Sequence, residues 1–300
     1  MTADQAADGP DRENPSPLEP VPMEPVPPPE RRTRAGRNLP AAVGVGLALA
    51  ALILLALYVW KPAFLGVIVV AIVLAVWELT NALRGGQVRV PIVPVAVGAV
   101  ALTSSAYAGG SEPLLVALTL TILATMLWRL PENPAGYVRD VTAGVFATMY
   151  VPFLASFAAL LLREDDGADR VVVFIALTVL SDVGGYASGV LFGKHPMAPT
   201  ISPKKSWEGA VGSALFCAVG GAVLLPAMLG GAAWEGVVIG LAAMVAATLG
   251  DLGESMIKRD LGIKDMGSLL PGHGGMMDRL DSLLLAAPVT YLLLSWLVPA

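Results

Sequence analysis

Long apolar runs recur along almost the whole chain and restrict its possible folds more than any other feature. A helix that crosses a bilayer needs about 20 mostly apolar residues, and about nine segments meet that requirement. These segments are residues 39–60, 62–83, 91–108, 113–130, 141–162, 171–192, 211–229, 234–249 and 283–298. Lipid offers no hydrogen bonds to the backbone, so spans of this length must be helical. The sequence therefore predicts an all-α integral membrane protein.

The composition agrees with this prediction. Hydrophobic residues make up 55% of the chain and charged residues only 14%, whereas a soluble domain has about 25% charged residues. So few charges cannot cover a water-facing surface, and the apolar excess must face lipid. The net charge of −5 gives no indication of a nucleic-acid partner. The single cysteine, Cys217, cannot form an internal disulfide.

The chain divides at the start of its first apolar run. Residues 1–37 are rich in Pro, Glu, Asp and Arg, and such a segment buries too little apolar area to offset its conformational entropy. We predict a disordered, Pro-rich cytoplasmic tail over residues 1–37 and a polytopic membrane catalytic domain over residues 38–300. Because the first apolar run begins only after residue 38, the tail does not resemble a signal peptide.

The basic residues predict the orientation of the chain. With the N-terminus in the cytoplasm, the outer loops hold only Lys61, Arg163 and Arg170, and nearly all other lysines and arginines lie inside. This is the asymmetry that the positive-inside rule describes. It places the two longest internal polar loops, residues 194–210 and 251–281, on the cytoplasmic face. We therefore expect a cytoplasm-facing polar active-site cavity.

The loop at residues 251–281 begins with a group suited to binding a metal and a phosphate. If this stretch is helical, Asp251, Glu254, Ser255 and Lys258 share one face. Mg²⁺ is usually bound through one or two carboxylates together with phosphate oxygens of a substrate. The alternative is a solvated helix end, and Gly253 counts against a plain helix.

The second half of the same loop is rich in glycine and leads into the last helix. Gly274 and Gly275 allow close approach of the backbone, whose N–H groups can bind an anion. Asp278 and Asp281 lie one helical turn apart, so they can share a metal or flank one. Alternatively, they only stabilise the first helical turn, by about 0.3–1 kcal/mol each.

Polar residues elsewhere extend this picture. Ser202, Lys204 and Lys205 can grip a phosphate, although ordinary positive-inside anchoring also explains the two lysines. Asp182 lies in the middle of an apolar span and is a functional candidate, because an intramembrane carboxylate is costly unless paired. For Glu78, a position at the membrane interface and a functional role are equally good interpretations.

The polar residues between positions 255 and 281 form one spaced pattern. Its members are Ser255, Lys258, Arg259, Lys264, Asp265, Pro271, His273, Gly274, Gly275, Asp278, Arg279 and Asp281. This pattern resembles the signature of the phosphatidate cytidylyltransferases, also called CDP-diacylglycerol synthases. Motif-level similarity covers roughly residues 178–290, whereas the first half of the chain is similar only as a set of apolar spans.

The resemblance implies a reaction and a role for each matching residue. The family converts phosphatidate and CTP into CDP-diacylglycerol and pyrophosphate with Mg²⁺. It implies that Asp251 and Asp278 hold the catalytic metal, with Glu254, Asp281 and Asp182 as further ligands or close neighbours. The groups expected to bind or neutralise substrate phosphates are Ser202, Lys204, Lys205, Ser255, Lys258, Arg259, Lys264, Gly274, Gly275 and Arg279. His273 would orient a phosphate or a metal-bound water, because a phosphate that is already anionic needs no general base.

The resemblance also implies the surroundings of the protein. CTP, phosphatidate and the lipid bilayer are the expected partners, and a homodimer is compatible with the family. A second metal or a monovalent cation can accompany Mg²⁺. The expected location is the inner (plasma) membrane, with a multi-pass topology.

The same apolar spans and polar residues are compatible with other functions. A cytidylyltransferase or kinase for another lipid fits the same spans, because acyl chains are recognised by grooves that leave no motif. A membrane transporter would carry polar groups along a path through the midplane, whereas here they cluster at one face. The motif of the CDP-alcohol phosphotransferases is absent from the sequence.

Overall fold

The computed structural model describes residue 51, residues 53–267, residue 269 and residues 274–299. The predicted tail at residues 1–37 and most of the first apolar run lie outside the described residues. The division between tail and membrane domain therefore stays a prediction. From that first run, residues 53–59 are helical.

Helices account for most of the described chain. They are α1 (Lys61–Gly85), α2 (Ile92–Gly109), α3 (Ser111–Trp128), α4 (Tyr137–Thr148), α5 (Leu154–Arg163), α6 (Gly167–Phe192), α7 (Trp207–Leu229), α8 (Ala233–Asp260) and α9 (Met277–Leu297). A π-helical turn at Met149–Phe153 joins α4 to α5. Counting α4 to α5 as one span, eight helical segments of the described chain are long and apolar enough to cross a membrane. The prediction of an all-α multi-pass membrane protein is confirmed, and these segments correspond to the second to ninth predicted spans.

The outer faces of these helices carry large apolar side chains. Leu120, Val190 and Trp296 are 60%, 67% and 79% exposed. A monomer in water rarely presents so much apolar surface, so lipid is the natural environment of these faces.

Short connections make successive spans alternate in direction. The connections at residues 86–91, 129–136, 193–206 and 261–276 therefore lie at one end of the bundle, which we call the polar end. Beneath it lies a buried apolar cluster that includes Ile72 and Val76 of α1 with Met277 and Leu284 of α9. This cluster ties the first described span to the last one.

The membrane helices extend further into the polar motifs than hydropathy predicted. Helix α8 continues to Asp260 rather than ending at residue 249, and α9 begins at Met277 rather than at residue 283. Helix α7 begins at Trp207, ahead of the predicted residue 211. Polar residues at helix ends lower the hydropathy of a window without breaking the helix. The predicted loops therefore shrink to residues 193–206 and 261–276.

The first of these loops contains a small hairpin that the sequence did not predict. Strand β1 (Pro196–Ala198) pairs antiparallel with β2 (Ser202–Ser206). The Ser206 hydroxyl then caps α7 by accepting a hydrogen bond from the Gly209 N–H at 3.1 Å. Such a cap satisfies one of the unpaired donors of a helix start, so the hairpin leads directly into α7.

Pro152 lies inside the π-helical turn that joins α4 to α5. Proline has no N–H to donate to the preceding turn, and one wider turn is a common way to accommodate it. This turn contains Tyr150, whose position matters for the site described below.

Candidate active site

Helix α8 ends in a row of polar side chains that faces the start of α9. The Lys258 ammonium contacts Glu254 Oε2 at 2.6 Å and Asp278 Oδ1 at 2.9 Å. The Ser255 hydroxyl donates to Asp251 Oδ1 at 3.4 Å. The predicted shared face of Asp251, Glu254, Ser255 and Lys258 is thus present, and the helix runs through Gly253 unbroken.

Asp278 is the most heavily bonded carboxylate of this group. Besides Lys258, it accepts hydrogen bonds from the Gly275 N–H at 2.9 Å and the Met266 N–H at 3.2 Å. The Gly275 N–H therefore points at Asp278 rather than at a phosphate in this structure. Gly274 adopts a left-handed φ of 82°, a conformation in which glycine is favoured.

A close helix contact brings Asp281 into the same group. A Cβ atom on Gly250 would overlap the backbone oxygen of Asp281, so α8 and α9 can meet here only because this residue is glycine. The Asp281 carboxylate accepts from the Ser282 N–H at 2.6 Å and interacts electrostatically with Asp251 and Asp182. The contact places four carboxylates of α8 and α9 within one region.

A cavity of about 300 Å³ adjoins this region between α6, the hairpin and α8. Asp182, Ser202, Lys204, Lys205 and Asp251 are among its lining residues. The Lys205 ammonium lies 2.6 Å from Asp251 Oδ2. Asp182 is exposed in this cavity rather than buried among apolar side chains, because the cavity cuts into the bundle at its level.

Three further predicted residues have exposed side chains. Arg259 donates from Nε to the Ile201 oxygen at 3.3 Å and so ties α8 to the hairpin. Lys264 and Arg279 are exposed. His273, for which a role in orienting phosphate was predicted, lies outside the described residues, as does Pro271.

His195 is a structural residue of the hairpin in this fold. Its ring Nδ1 lies 2.5 Å from Glu208 Oε1, and the Lys194 and His195 N–H groups donate to the other oxygen at 3.1 and 3.2 Å. Since Glu208 belongs to the first turn of α7, this contact locks the hairpin onto that helix.

Tyr150 belongs to the site but was not found from the sequence. Its hydroxyl is buried without a hydrogen-bond partner among the described residues, and it interacts electrostatically with Glu254, Asp281 and Asp251. One oxygen of Glu254, Oε1, is likewise buried and unpaired in the described part of the chain. The proline two residues after Tyr150 was the one available signal, since π-helical turns often occur at functional sites.

Within the described ranges, no three His, Cys, Asp or Glu side chains already converge in the geometry of a metal site. Lys205 and Lys258 occupy the positions beside the carboxylates instead. The donor chemistry nevertheless fits Mg²⁺, which takes oxygen ligands and relies on substrate phosphates to complete its shell. The unpaired Oε1 of Glu254 is an oxygen donor of the type that Mg²⁺ prefers.

A second and larger cleft, of about 930 Å³, lies at the same end of the bundle. Arg84, Arg89, Arg129 and Arg139 line it together with Asp140. In this cleft the buried Arg129 is bonded to Asp140 at 2.8 Å and to Glu132 at 2.9 Å. The carboxylates that could bind a cation are concentrated in the first region, not here.

Comparison with known proteins adds an independent finding. Residues 40–297 match the Cytidylyltransferase family. A Mycobacterium bovis protein named phosphatidate cytidylyltransferase is 39% identical over 312 residues, covering 99% of this chain and 100% of that protein. Proteins of the same name from Mycobacterium tuberculosis and Mycobacterium leprae are 40% and 43% identical, over 90% and 88% of this chain and 86% and 90% of their own lengths. The resemblance seen in residues 255–281 is confirmed: the chain belongs to the cytidylyltransferase family.

Proposed function

We propose that this protein transfers the cytidylyl group of CTP to phosphatidate, giving CDP-diacylglycerol and pyrophosphate. The observation that carries this proposal is the meeting of α8 and α9, where Lys258 bridges Glu254 and Asp278 within the motif of the family. The name of the relatives that match nearly the whole chain supports the same reaction. The protein is accordingly a membrane-bound nucleotidyltransferase.

The reaction requires little covalent work from the protein. A phosphate oxygen of phosphatidate attacks the α-phosphorus of CTP, and the bond from that phosphorus to the bridging oxygen breaks as pyrophosphate leaves. No proton must be removed from the attacking phosphate, which is anionic at neutral pH. Catalysis of such transfers is mainly alignment and neutralisation of charge, and both tasks suit the lysine and carboxylate groups of this site.

The lysines are placed to receive phosphates. Lys205 lines the 300 Å³ cavity and pairs with Asp251, so a phosphate entering this cavity can replace that carboxylate as its partner. Lys204 and Ser202 line the same cavity, and Lys258 lies between Glu254 and Asp278. We assign the triphosphate of CTP to this row of cations.

Mg²⁺ is the cofactor that the donor set fits best. Asp251 and Asp278 would hold it, with Glu254, Asp281 and Asp182 as neighbours that complete or support its coordination. When bound, the ion would neutralise phosphate charge and polarise the phosphorus–oxygen bonds. The protein's own part is to hold the carboxylates, as the Gly275 and Met266 N–H groups do for Asp278.

The orientation of the protein follows from the same assignment. CTP is a cytoplasmic metabolite, and nearly all basic connections lie at the polar end, so we place this end in the cytoplasm in accordance with the positive-inside rule. For a bacterial chain this means the inner (plasma) membrane. A homodimer remains a prediction of the family resemblance.

The test is a transfer assay with purified protein in detergent. CTP labelled at the α-phosphate is supplied with phosphatidate and Mg²⁺, and label is sought in the organic phase together with released pyrophosphate. We expect label only when both phosphatidate and Mg²⁺ are present. Label that appears instead with another lipid acceptor would change the substrate, and absence of nucleotide binding would favour a transporter.

A further inference from the structure

Glu78 is a buried carboxylate in the first described span, far in sequence from the motif residues. It lies about two turns before the end of α1 and is only 1% exposed. An ionisable group at such a position is expensive unless it is bonded. The hydrogen-bond partners of Glu78 therefore indicate which part of the protein this carboxylate stabilises.

Those partners belong to the segment that precedes α9. Glu78 Oε2 accepts a hydrogen bond from the Met277 N–H at 2.8 Å, across 199 positions of sequence. Cβ atoms added to Gly267 or Gly275 would overlap the carboxylate of Glu78. The carboxylate is thus enclosed by the backbone at both sides of the motif segment.

The bond at Met277 is made to the first turn of α9. N–H groups at a helix start lack partners inside the helix and attract negative charge. The next residue is Asp278, which draws the Gly275 and Met266 N–H groups toward itself from the other side. Glu78 and Asp278 therefore both hold the backbone beside the start of α9.

We propose that Glu78 is a positioning residue for Asp278. By anchoring the start of α9 and the backbone around Gly267 and Gly275, it sets where the Asp278 carboxylate meets Lys258 and the nucleotide phosphates. It does not touch the substrates itself. This inference rests on the proposed function and adds to it a residue from the half of the chain that carries none of the motifs.

The test compares three substitutions of Glu78 with a matched control. Glu78→Ala removes the acceptor, Glu78→Asp keeps the charge but is one methylene too short, and Glu78→Gln keeps one oxygen that can accept from Met277. Thr80→Val is the control, because Thr80 is equally buried in α1 and, among the described residues, its hydroxyl bonds only to the Trp77 oxygen of its own helix.

Hydrogen exchange of the backbone gives a readout that is independent of activity. In Glu78→Ala and Glu78→Asp we expect faster exchange of the amides at residues 275–278, with unchanged protection in α1 and α8. Glu78→Gln should retain most of the protection. Thr80→Val should leave residues 275–278 as in the wild type.

The kinetic readout separates alignment from binding. We expect kcat to fall by about 100-fold in Glu78→Ala and Glu78→Asp, since displacement of a reacting group by about 1 Å can cost that much. KM for CTP should change less than kcat, and Glu78→Gln should stay within a few fold of wild type. Thr80→Val should keep its kcat.

Two results would overturn the proposal. One is wild-type exchange at residues 275–278 and wild-type kcat in Glu78→Ala. The other is a loss of protection spread over α1 and α8 in every Glu78 variant, including Glu78→Gln, which would make Glu78 a purely structural residue. A wild-type protein that transfers no cytidylyl group would instead refute the proposed function, and the exchange data would still decide the link between Glu78 and α9.

Discussion

Two polar regions lie at the same end of the bundle, and they differ in how completely their buried charges are paired. In the arginine cleft, the 6% exposed side chain of Arg129 has four partners: Asp140, Glu132 and the backbone oxygens of Asn133 and Ala135. Asp140 in turn accepts from the Arg89 N–H at 3.0 Å and from Arg139 Nε at 3.2 Å. The buried charges there are paired within the protein.

In the carboxylate region the pairing is incomplete. Asp251, Glu254 and Asp278 share the two ammonium groups of Lys205 and Lys258. Glu254 Oε1 and the Tyr150 hydroxyl are buried without partners among the described residues. An unmade buried hydrogen bond costs about 1–3 kcal/mol, so a ligand that bonded to these two atoms would remove that cost.

Cavity size and incomplete charge pairing therefore point to different regions as the candidate active site. The cleft of about 930 Å³ is three times as large as the cavity of about 300 Å³. The smaller one, however, adjoins the carboxylates whose pairing is incomplete within the described chain. The arginine cleft joins the end of α3 to the start of α4 through paired charges, whereas the carboxylate region keeps polar atoms that are unpaired among the described residues.

The largest expected effect comes from Asp278→Asn. The substitution removes one charge and leaves a side chain of the same shape, so we expect turnover to fall by at least about 100-fold, in the range seen when a group that stabilises transition-state charge is lost. Membrane insertion should remain intact, as judged by detergent extraction and gel filtration. Normal activity in this variant would remove Asp278 from the proposed metal site.

The second prediction pairs one substitution from each region. Lys258→Met leaves the buried Glu254 carboxylate without its ammonium partner, and Arg129→Met removes the buried ion pair to Asp140 Oδ2. Breaking a buried ion pair costs about 3–5 kcal/mol of stability. Only Lys258→Met should also reduce transfer by the molecules that remain folded. Thermal unfolding in detergent and kcat per folded molecule measure the two effects separately.

If Arg129→Met lost kcat as severely as Lys258→Met, the comparison would fail and the cleft would have to be counted as part of the site. A Lys258→Met variant with full activity would contradict the role given to that ammonium.

The third prediction concerns ligand binding without turnover. A ligand that binds only the folded protein at 100 times its Kd stabilises it by about 2.7 kcal/mol. We expect Mg²⁺ with CTP to raise the Tm of the wild type and of Arg139→Gln. The rise should be absent in Asp278→Asn and after Mg²⁺ is removed by a chelator.

An equal rise in Asp278→Asn would show that the nucleotide binds elsewhere. A loss of the rise in Arg139→Gln would move nucleotide binding toward the arginine cleft.

The smallest expected effect is that of Tyr150→Phe. The ring stacks on Phe146 with centroids 5.4 Å apart, so phenylalanine should keep its position. Without ligand the change should leave Tm unchanged or slightly raised, because it deletes an unpaired hydroxyl. One hydrogen bond contributes about 0.5–1.5 kcal/mol, so we expect activity to fall by about 2- to 10-fold.

A variant of Tyr150 with full activity would show that this hydroxyl meets no ligand. A fall in both Tm and activity would instead mean that it supports packing.

Much of the site was predictable because its residues are close in sequence. The shared face of Asp251, Glu254, Ser255 and Lys258 follows from helical periodicity. The helical spacing of Asp278 and Asp281 was also expected, although hydropathy placed the start of the last span at residue 283 rather than at Met277. The hairpin at residues 196–206 could not be read from its composition, because its two strands are too short to show alternation.

The long-range partners were beyond such reasoning. Glu78 was left between an interfacial and a functional interpretation, since nothing near it in sequence indicates a partner 199 positions away. Tyr150 was overlooked, because a tyrosine within an apolar span does not stand out in the sequence. Its position at the π-helical turn is known only from the structure.

The local properties of the chain are enough to establish a multi-pass membrane protein of the cytidylyltransferase family. The length of an apolar run and the spacing of a motif depend only on neighbouring residues, so both can be determined from the sequence. Which charges meet depends on how the helices pack. The bridge from Lys258 to Asp278, the contact of Gly250 with α9 and the bond from Met277 to Glu78 exist only once distant spans lie side by side.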